Sequence, residues 1–384
     1  MRLKRLQLHD FRSFSTLDLT LSGQVNVFVG GNAEGKTNAL EAVYLLATGR
    51  SHRAVRDREL VRWGAPAYLA RGDFERPAGP LRVEVGFSGE GRKVLRLNGL
   101  PKRRLSEIIG QARVVLFAPE DLELVKGAPE VRRHYIDLQL SQVSPAYYHH
   151  LATYHRILEQ RNRLLKGGSQ AEAMGLAVWD EKLVAHGVEI IQRRLTALEK
   201  LSRWVALAQR QVSGGQEELS VSYQSSIVGD SPRASREATA AGQNDETLGK
   251  AFRRRLEKLR PVELERGMTL VGPHRDDLRL EVNGQDARLF SSQGQQRTAV
   301  LALKLAEVEF LAADDGDQPI LLLDDVLSEL DERRRGLLLE TVGRVQTIIT
   351  GTDAAPLAGR LAADVAFYHV ARGTITPAED GRAQ

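Results

Sequence analysis

The stretch that most constrains this chain is Gly30-Gly31-Asn32-Ala33-Glu34-Gly35-Lys36-Thr37, a Gly-x4-Gly-Lys-Thr loop. Before it runs Val25-Asn26-Val27-Phe28-Val29, β-branched and aromatic, which suits a buried parallel strand. After it, Asn38 to Thr48 reads as a helix closed by Gly49. Strand, glycine loop and helix in that order make a phosphate loop: backbone N–H groups of the loop and helix N-terminus wrap a polyphosphate, and glycines let the backbone turn and approach closely. The spacing predicts an ATP or GTP site formed by Gly30 to Asn38, in which Lys36 reaches the β and γ phosphates and the Thr37 hydroxyl holds Mg²⁺.

A chain of 384 residues is long enough for two or three subdomains around a sizeable core. It has no cysteine, which removes disulfides and thiolate metal sites and points to a reducing cytoplasm. Met1 to Leu6 lacks the apolar core of a signal peptide, and no apolar run approaches the ~20 residues that span a bilayer, so a soluble intracellular chain is expected. The net charge of +4 is a mild basic excess. Basic clusters occur at Arg50, His52, Arg53, Arg56 and Arg58, at Lys102-Arg103-Arg104, at Arg132-Arg133, and at Arg253-Arg254-Arg255 with Lys258 and Arg260. Each alone fits a solvated face as well as a nucleic-acid contact. Aromatics are 5% of the chain, so any such contact should be mostly to phosphates.

Leu6-Gln7-Leu8 and Leu17 to Leu21 alternate as half-buried strands leading into the phosphate-loop strand, with Phe11-Arg12-Ser13-Phe14 linking them. Leu81 to Phe87 and Val94 to Leu97, separated by Ser88-Gly89-Glu90-Gly91, predict a hairpin and hence an antiparallel β subdomain. Val114 to Phe117 is a buried strand stopped by Pro119. From Glu120 the pattern turns helical. Ser144-Pro145 caps a helix to Leu165, ended by Gly167-Gly168, and a periodic stretch from Ala171 to Gln211 ends at Gly214-Gly215. These make a compact antiparallel lobe without sustained heptads. Residues 229–246 read as a mobile surface loop, and a basic helix from Leu248 to Leu259 should end at Pro261. Gly272 to Asp277 precedes a hairpin at Asn283-Gly284; with no second histidine nearby, His274 beside Asp276 and Asp277 reads as part of a surface turn rather than a metal site.

Ser291 to Arg297 reads as a capped, glycine-bearing start to the apolar helix Thr298 to Ala313. Pro319 then opens Ile320-Leu321-Leu322-Leu323-Asp324-Asp325, a buried parallel strand whose acids fall at the mouth of the sheet, where open α/β folds bind ligands. Asp324 suits a Walker B residue that helps hold Mg²⁺, and Asp325 a base or water-positioning group.

The phosphate loop, Ser-x-Gly-Gln at Ser292 to Gln295, the Walker B strand, and Ser328-Glu329-Leu330-Asp331 as a D-loop together resemble the ABC-type ATPase head. Phe11 to Phe14, Thr48 to Arg53, Pro119 to Leu122 with Val125-Lys126-Gly127, Gly272 to Asp277 and Ser292 to Thr298 are similar to the RecF family of bacterial recombination mediators, over nearly the whole chain. The resemblance implies an α/β head without the long coiled coils of its SMC relatives. Lobe I, residues 1–119 and 314–384, would carry a mixed or parallel nucleotide sheet and the antiparallel β subdomain; lobe II, residues 120–313, would be largely helical and end in the signature and its helix. It implies ATP and Mg²⁺ held between two protomers, with the phosphate loop and Arg12 of one against Ser292, Gly294 and Gln295 of the other. Ser292 at a helix N-terminus suits a γ-phosphate, yet one nucleotide cannot readily use both this and its own phosphate-loop helix without a second subunit.

The same resemblance implies a cytoplasmic ATP-dependent homodimer that binds double-stranded, gapped or junction DNA and no membrane, with RecR and RecO as partners and RecA loading as the outcome. ABC heads generally place glutamate where Asp325 stands; aspartate, one methylene shorter and shared by RecF-like proteins, implies slow hydrolysis that times release. The switch histidine has no counterpart in Thr347 to Thr352, where Thr350 or Thr352 would substitute, and the Q-loop role is unassigned, with Gln111 before the relevant strand. Three other readings share the phosphate loop. An SMC-like structural protein with little turnover is one. The ATPase subunit of a transporter is another, although those subunits place the signature much nearer the loop. A small-molecule kinase fits neither the signature nor the D-loop. The tail from Pro377 to Gln384 is expected to be disordered.

Overall fold

A computed structural model of the chain describes residues 1–89, 91–167, 175–227, 245–313, 316–353 and 364–378. The loop expected at 229–246 lies almost wholly outside these residues, as do Gly168, Ala171 and tail residues 379–384. The chain divides into two compact units, the first Met1–Asp121, Ala208–Gly215 and Val300–Gln384, the second Leu122–Leu207 and Gln216–Ala299. The lobe boundary read from sequence at 313 therefore differs from this division, which places the helix beyond Val300 in the first unit.

The first unit holds two sheets. One has the order β15-β14-β3-β13-β12-β8. Its strands are β3 Val25–Val29, β8 Val114–Phe117, β12 Ile320–Asp324, β13 Thr347–Gly351, β14 Val365–Ala371 and β15 Thr374–Ala378. All neighbours are parallel except β14 and β15. β3, β8 and β12 are buried at every position, as strands covered on both faces must be, which is why they read as continuous apolar runs. The register sets Asp324 beside Thr350 and Thr350 beside Phe28, so the C-terminal ends of β12, β13 and β3 lie side by side.

The other sheet is antiparallel, in the order β2-β1-β4-β5-β6-β7. It comprises β1 Arg2–Phe11, β2 Phe14–Thr20, β4 Tyr68–Glu75, β5 Leu81–Phe87, β6 Lys93–Leu97 and β7 Leu100–Pro101. The expected 81–97 hairpin is present, Phe87 opposite Lys93. Leu6, Leu8, Leu17 and Leu19 are buried at alternate positions, but their strands pair with each other in this subdomain rather than joining the nucleotide sheet. Helix α1, Lys36–Thr48, is buried on nearly every side because it packs against both sheets, on β8, β12 and β13 of one and β4 and β5 of the other.

The second unit contains most of the helices. Proline opens α2 (Pro129–Val143) and α3 (Pro145–Leu165). As the sequence predicts, Ser144 caps α3, its hydroxyl accepting from Tyr147 N at 3.2 Å. Helix α4, Leu176–Ser213, runs antiparallel to α3: His150 meets His186, while Arg161 donates to Asp180 and Arg194 to Tyr147. Arg161 and Arg194 are almost fully buried. Arg161 is satisfied by Asp180, Glu263 and the Thr269 hydroxyl; Arg194 forks onto Asp137 and also donates to Tyr223 and the Pro273 carbonyl. A three-stranded sheet, β11-β10-β9, completes the unit with β9 Leu219–Gln224, β10 Asp277–Val282 and β11 Gln285–Asp286. Asn283 and Gly284, both at positive φ, make the β10–β11 turn.

Two local expectations are corrected here. The basic helix does not stop at Pro261; α5 runs Asp245–Arg266 with the proline inside. Tertiary bonds beyond the proline outweigh the lost backbone bond: Glu263, fully buried, accepts from Arg161 Nη2 at 2.7 Å and from Leu270 N at 2.7 Å. His274 lies in a turn, but one that faces inward. Its Nδ1 bonds the Tyr154 hydroxyl at 2.7 Å, and burial pushes its pKa down to about 3, keeping the ring neutral. Among the described residues no cluster of His, Asp and Glu could hold a metal ion.

Candidate nucleotide-binding site

The phosphate loop connects the C-terminal end of β3 to α1, and two glycines make its path possible. A Cβ on Gly30 would come within 2.2 Å of the Val370 carbonyl on β14, and Gly35 turns into the helix at φ 117. Glu34 ties the loop to the β14–β15 turn: its carboxylate accepts from Arg372 N and its carbonyl from Gly373 N at 3.1 Å. Gly31, Asn32 and Ala33 form the exposed crest, with Ala33 at φ 64.

Lys36 opens α1 with its side chain folded over the loop, Nζ donating to the carbonyls of Gly30 at 2.8 Å and Gly31 at 2.7 Å. It is only 7% exposed. Burial pushes its pKa down, opposed by the carboxylates of Asp325, Asp324 and Glu34. An ammonium held by weak carbonyl acceptors in an acidic surround is poised to take phosphate oxygens.

The two acids at the end of β12 have different settings. Asp324 is buried; its Oδ1 accepts from the Thr37 hydroxyl at 2.9 Å and from the Thr350 hydroxyl at 2.8 Å. Asp325 is exposed and in the left-handed region at φ 54, its N–H donating to Thr350 Oγ1 at 3.0 Å. Thr350 on β13 therefore binds both acids at once. In the sequence it stands only as a substitute for a switch residue; its polar side chain near the end of an otherwise buried strand was the available signal. Thr352 is exposed, and Gln111 accepts from Arg76 through its carbonyl at 3.2 Å.

Asn38 Nδ2 donates to Ser13 Oγ at 3.0 Å, and Ser13 follows Arg12 in the β1–β2 turn. Arg12, at φ 51, forks onto Glu41 of α1, Nε to Oε2 at 2.8 Å and Nη2 to Oε1 at 2.7 Å, while Nη1 donates to the Glu59 carbonyl at 2.9 Å. Three of its five N–H groups are thus spent within the protein, leaving one on each terminal nitrogen. Glu41 is fully buried and also accepts from the Ser51 hydroxyl. Burial lifts the Glu41 carboxyl, but the bonds from Arg12 and Ser51 outweigh it and hold the group below the usual carboxylate range. Glu41 was missed in the sequence, although an acid among the apolar residues of α1 was the visible signal.

Ser292, Gly294 and Gln295 form a separate group in the second unit, at the start of helix α6, Gln293–Ala312. The helix begins before the expected Thr298, so the signature forms its first turn. Ser292 and Gln295 make a capping box, Gln295 N to Ser292 Oγ at 3.2 Å and Ser292 N to Gln295 Oε1 at 2.9 Å. Ser292 is exposed, and the cap uses its oxygen as an acceptor only. Leu289 and Phe290, just before it, are 72% and 67% exposed. The D-loop residue Asp331 caps α7, Glu332–Val342, accepting from Arg334 N at 2.9 Å.

A strand–loop–helix phosphate cradle, acids at the end of a parallel strand one place removed in the same sheet, and a second helix-start motif define an ABC-type ATPase head. The family model for the RecF/RecN/SMC N terminal domain matches residues 2–358. Among curated proteins, the chain is 43% identical to the DNA replication and repair protein RecF of Halalkalibacterium halodurans over 379 residues, 98% of this chain and 99% of that one. It is 45% identical to the protein of the same name from Symbiobacterium thermophilum over 377 residues, 98% of each. A solved structure of the recombination mediator protein RecF with ATP superposes with a TM-score of 0.88 at 34% identity, covering 98% of this chain and 97% of that one. The chain belongs to the RecF family.

Proposed function

We propose that this protein is an ATP-dependent DNA clamp. ATP at the phosphate loop draws two copies together, Ser292, Gly294 and Gln295 of one completing the nucleotide site of the other, and the closed dimer holds double-stranded DNA near a gap or junction. The observation that carries this reading is the chain of hydrogen bonds Thr37–Asp324–Thr350–Asp325 across the ends of β12 and β13 and the start of α1. It links the phosphate loop to the two acids that hydrolysis needs. The capped start of α6 adds an exposed hydroxyl and a helix dipole suited to a γ-phosphate.

Thr37 Oγ1 and Asp324 Oδ1 are hard oxygen donors 2.9 Å apart, a set that fits Mg²⁺, which keeps several waters and takes few protein ligands. When bound, Mg²⁺ supplies positive charge against the phosphates. Lys36 exchanges the Gly30 and Gly31 carbonyls for phosphate oxygens, and the two N–H groups of Arg12 not spent on Glu41 and the Glu59 carbonyl are left to donate to the nucleotide. Asp325 orients the attacking water, its backbone held by Thr350. With a carboxylate one methylene shorter than glutamate, hydrolysis is slow and times release from DNA. RecR and RecO as partners, RecA loading at gaps and a cytoplasmic location belong to the same reading, supported by the likeness to proteins named for DNA replication and repair. Among the described residues no helix is long and apolar enough to cross a membrane.

Sedimentation with and without Mg²⁺-ATP tests the composite site. Wild type should dimerise on ATP, Lys36→Met should lose nucleotide binding, and Ser292→Arg should bind ATP yet stay monomeric. A wild type that remains monomeric with ATP bound defeats the reading, and equal slow turnover in wild type and Asp325→Asn would deny Asp325 a catalytic role.

A further inference from the structure

Between α1 and β4 the chain carries Arg50, Arg53, Arg56 and Arg58, all exposed. None of their guanidinium groups has a hydrogen-bond or ion-pair partner among the described residues. The other basic clusters are partly spent: Arg132 on Asp277, Arg253 on Glu181, Arg260 on Asp180 and Lys102 on Glu107. In the same segment Trp63 is 97% exposed, at the corner of a tight turn closed by Ala65 N to the Arg62 carbonyl at 2.9 Å, with Gly64 at φ 83.

The segment is nonetheless firmly mounted. The Ser51 hydroxyl accepts from Arg53 N at 2.9 Å and Ala54 N at 2.8 Å and donates to Glu41. Asp57 is paired with Lys93 at 2.8 Å, and the Glu59 carboxylate accepts from Val55 N. Backbone bonds join Arg12 N to Leu60 O at 2.8 Å and Arg62 N to Asp10 O at 2.7 Å. Unpaired arginines and a bare indole on a fixed backbone are a pre-organised surface for a polyanion with accessible ring faces. An isolated exposed tryptophan would need no explanation, but one in the same short exposed segment as four unpaired arginines has one.

Resting on the clamp reading above, we infer that residues 50–63 grip the DNA, the four arginines on phosphates and Trp63 on the open face of a base. An intact duplex offers only base edges and phosphates, so the indole selects a place where a base face is accessible, as at the edge of a gap. The mount runs through Glu41 to α1 and therefore to the phosphate loop.

Fluorescence anisotropy of the full-length protein with Mg²⁺ and a slowly hydrolysed ATP analogue tests this on two circular DNAs of equal length, a covalently closed duplex with no unpaired base and the same duplex with a single-stranded gap. Replacing all four arginines by serine should weaken both complexes and flatten the slope of log affinity against log salt by up to about 3.6, if each contacts one phosphate. Trp63→Ala should weaken the gapped complex roughly 5- to 150-fold, leave the closed duplex unchanged, and be largely rescued by Trp63→Phe. Nucleotide binding should be unchanged in every variant, which controls for folding. The inference is overturned if the serine variant keeps the wild-type salt slope, or if Trp63→Ala weakens both DNAs alike or neither; failure of both variants to affect DNA binding would leave the patch as a protein-docking surface. If wild type binds neither DNA, the clamp reading itself fails.

Discussion

Arg12→Ala and Glu41→Ala remove opposite ends of one ion pair, and the structure predicts unequal losses. The Glu41 side chain has no exposure, whereas that of Arg12 is 24% exposed. Without Arg12, the buried carboxylate keeps only the Ser51 hydroxyl, and an uncompensated buried charge costs about 3–5 kcal/mol. Without Glu41, the guanidinium keeps the Glu59 carbonyl and gains water on its open side, so the loss is nearer that of a charged hydrogen bond, about 1.5–3 kcal/mol. The double variant should lose less than the two single losses combined, because it leaves no orphaned charge. Urea unfolding followed by circular dichroism gives the losses. Amide exchange at Ala54 and Arg62 localises them, since a chain of two units need not unfold in one step. The pH dependence adds a second check. The Glu41 carboxyl is depressed in the folded state, so its contribution is present above the ordinary value of 4.5 and fades as the pH falls through the folded pKa; both variants should lack that acid sensitivity. A Glu41→Ala loss equal to or above that of Arg12→Ala, or strict additivity, would refute the argument.

Three further outcomes follow from other buried groups. In the first unit Lys304 is a single cation between Asp121 at 3.4 Å and Glu307 at 3.0 Å, and burial pushes Glu307 up to about 7. The folded state thus holds that proton more tightly than the unfolded one, and stability from it should fall as the pH rises from about 4.5 to 7, by at most about 1.4 kcal/mol per pH unit; Glu307→Gln should flatten the profile in that window in urea titrations. Thr350→Val removes the hydroxyl that holds both Asp324 and Asp325, and should lower ATP turnover roughly 5- to 150-fold, the effect of two lost hydrogen bonds, while ATP affinity stays within about threefold; an equal loss of affinity would make Thr350 a ground-state support instead. Glu263→Ala should destabilise the second unit by about 3–5 kcal/mol in urea unfolding, because it strips a fully buried Arg161 of one of its two carboxylates and leaves Leu270 N unpaired.

Elements governed by short-range rules were legible in the residue order. β3, β8 and β12 read as buried strands because parallel strands covered on both faces must be apolar throughout, and Ser144-Pro145 marked the start of α3 because a cap and a first-turn proline act within one helical turn. Pro261 misled for the complementary reason: a local breaking signal gave way to bonds made by Glu263, from Arg161 far off in sequence and from Leu270 just past the helix end. β4, β9, β14 and β15 went unread, being short or weakly patterned strands whose existence depends on the partner each one finds.

The phosphate loop, the acids closing β12 and the capped start of α6 were determined by the sequence itself, since each depends on spacing within a few residues: glycines where the backbone must turn, a serine where a helix begins. Only the tertiary structure decided that Arg12 is held by Glu41, that Thr350 joins Asp324 to Asp325, and that His274 faces inward. It also decided which arginines remain unpaired. A charged side chain meets its partner through folding, at a sequence distance that no local pattern records, and whether it becomes a structural bond or a free binding group is settled only by what the fold brings to it.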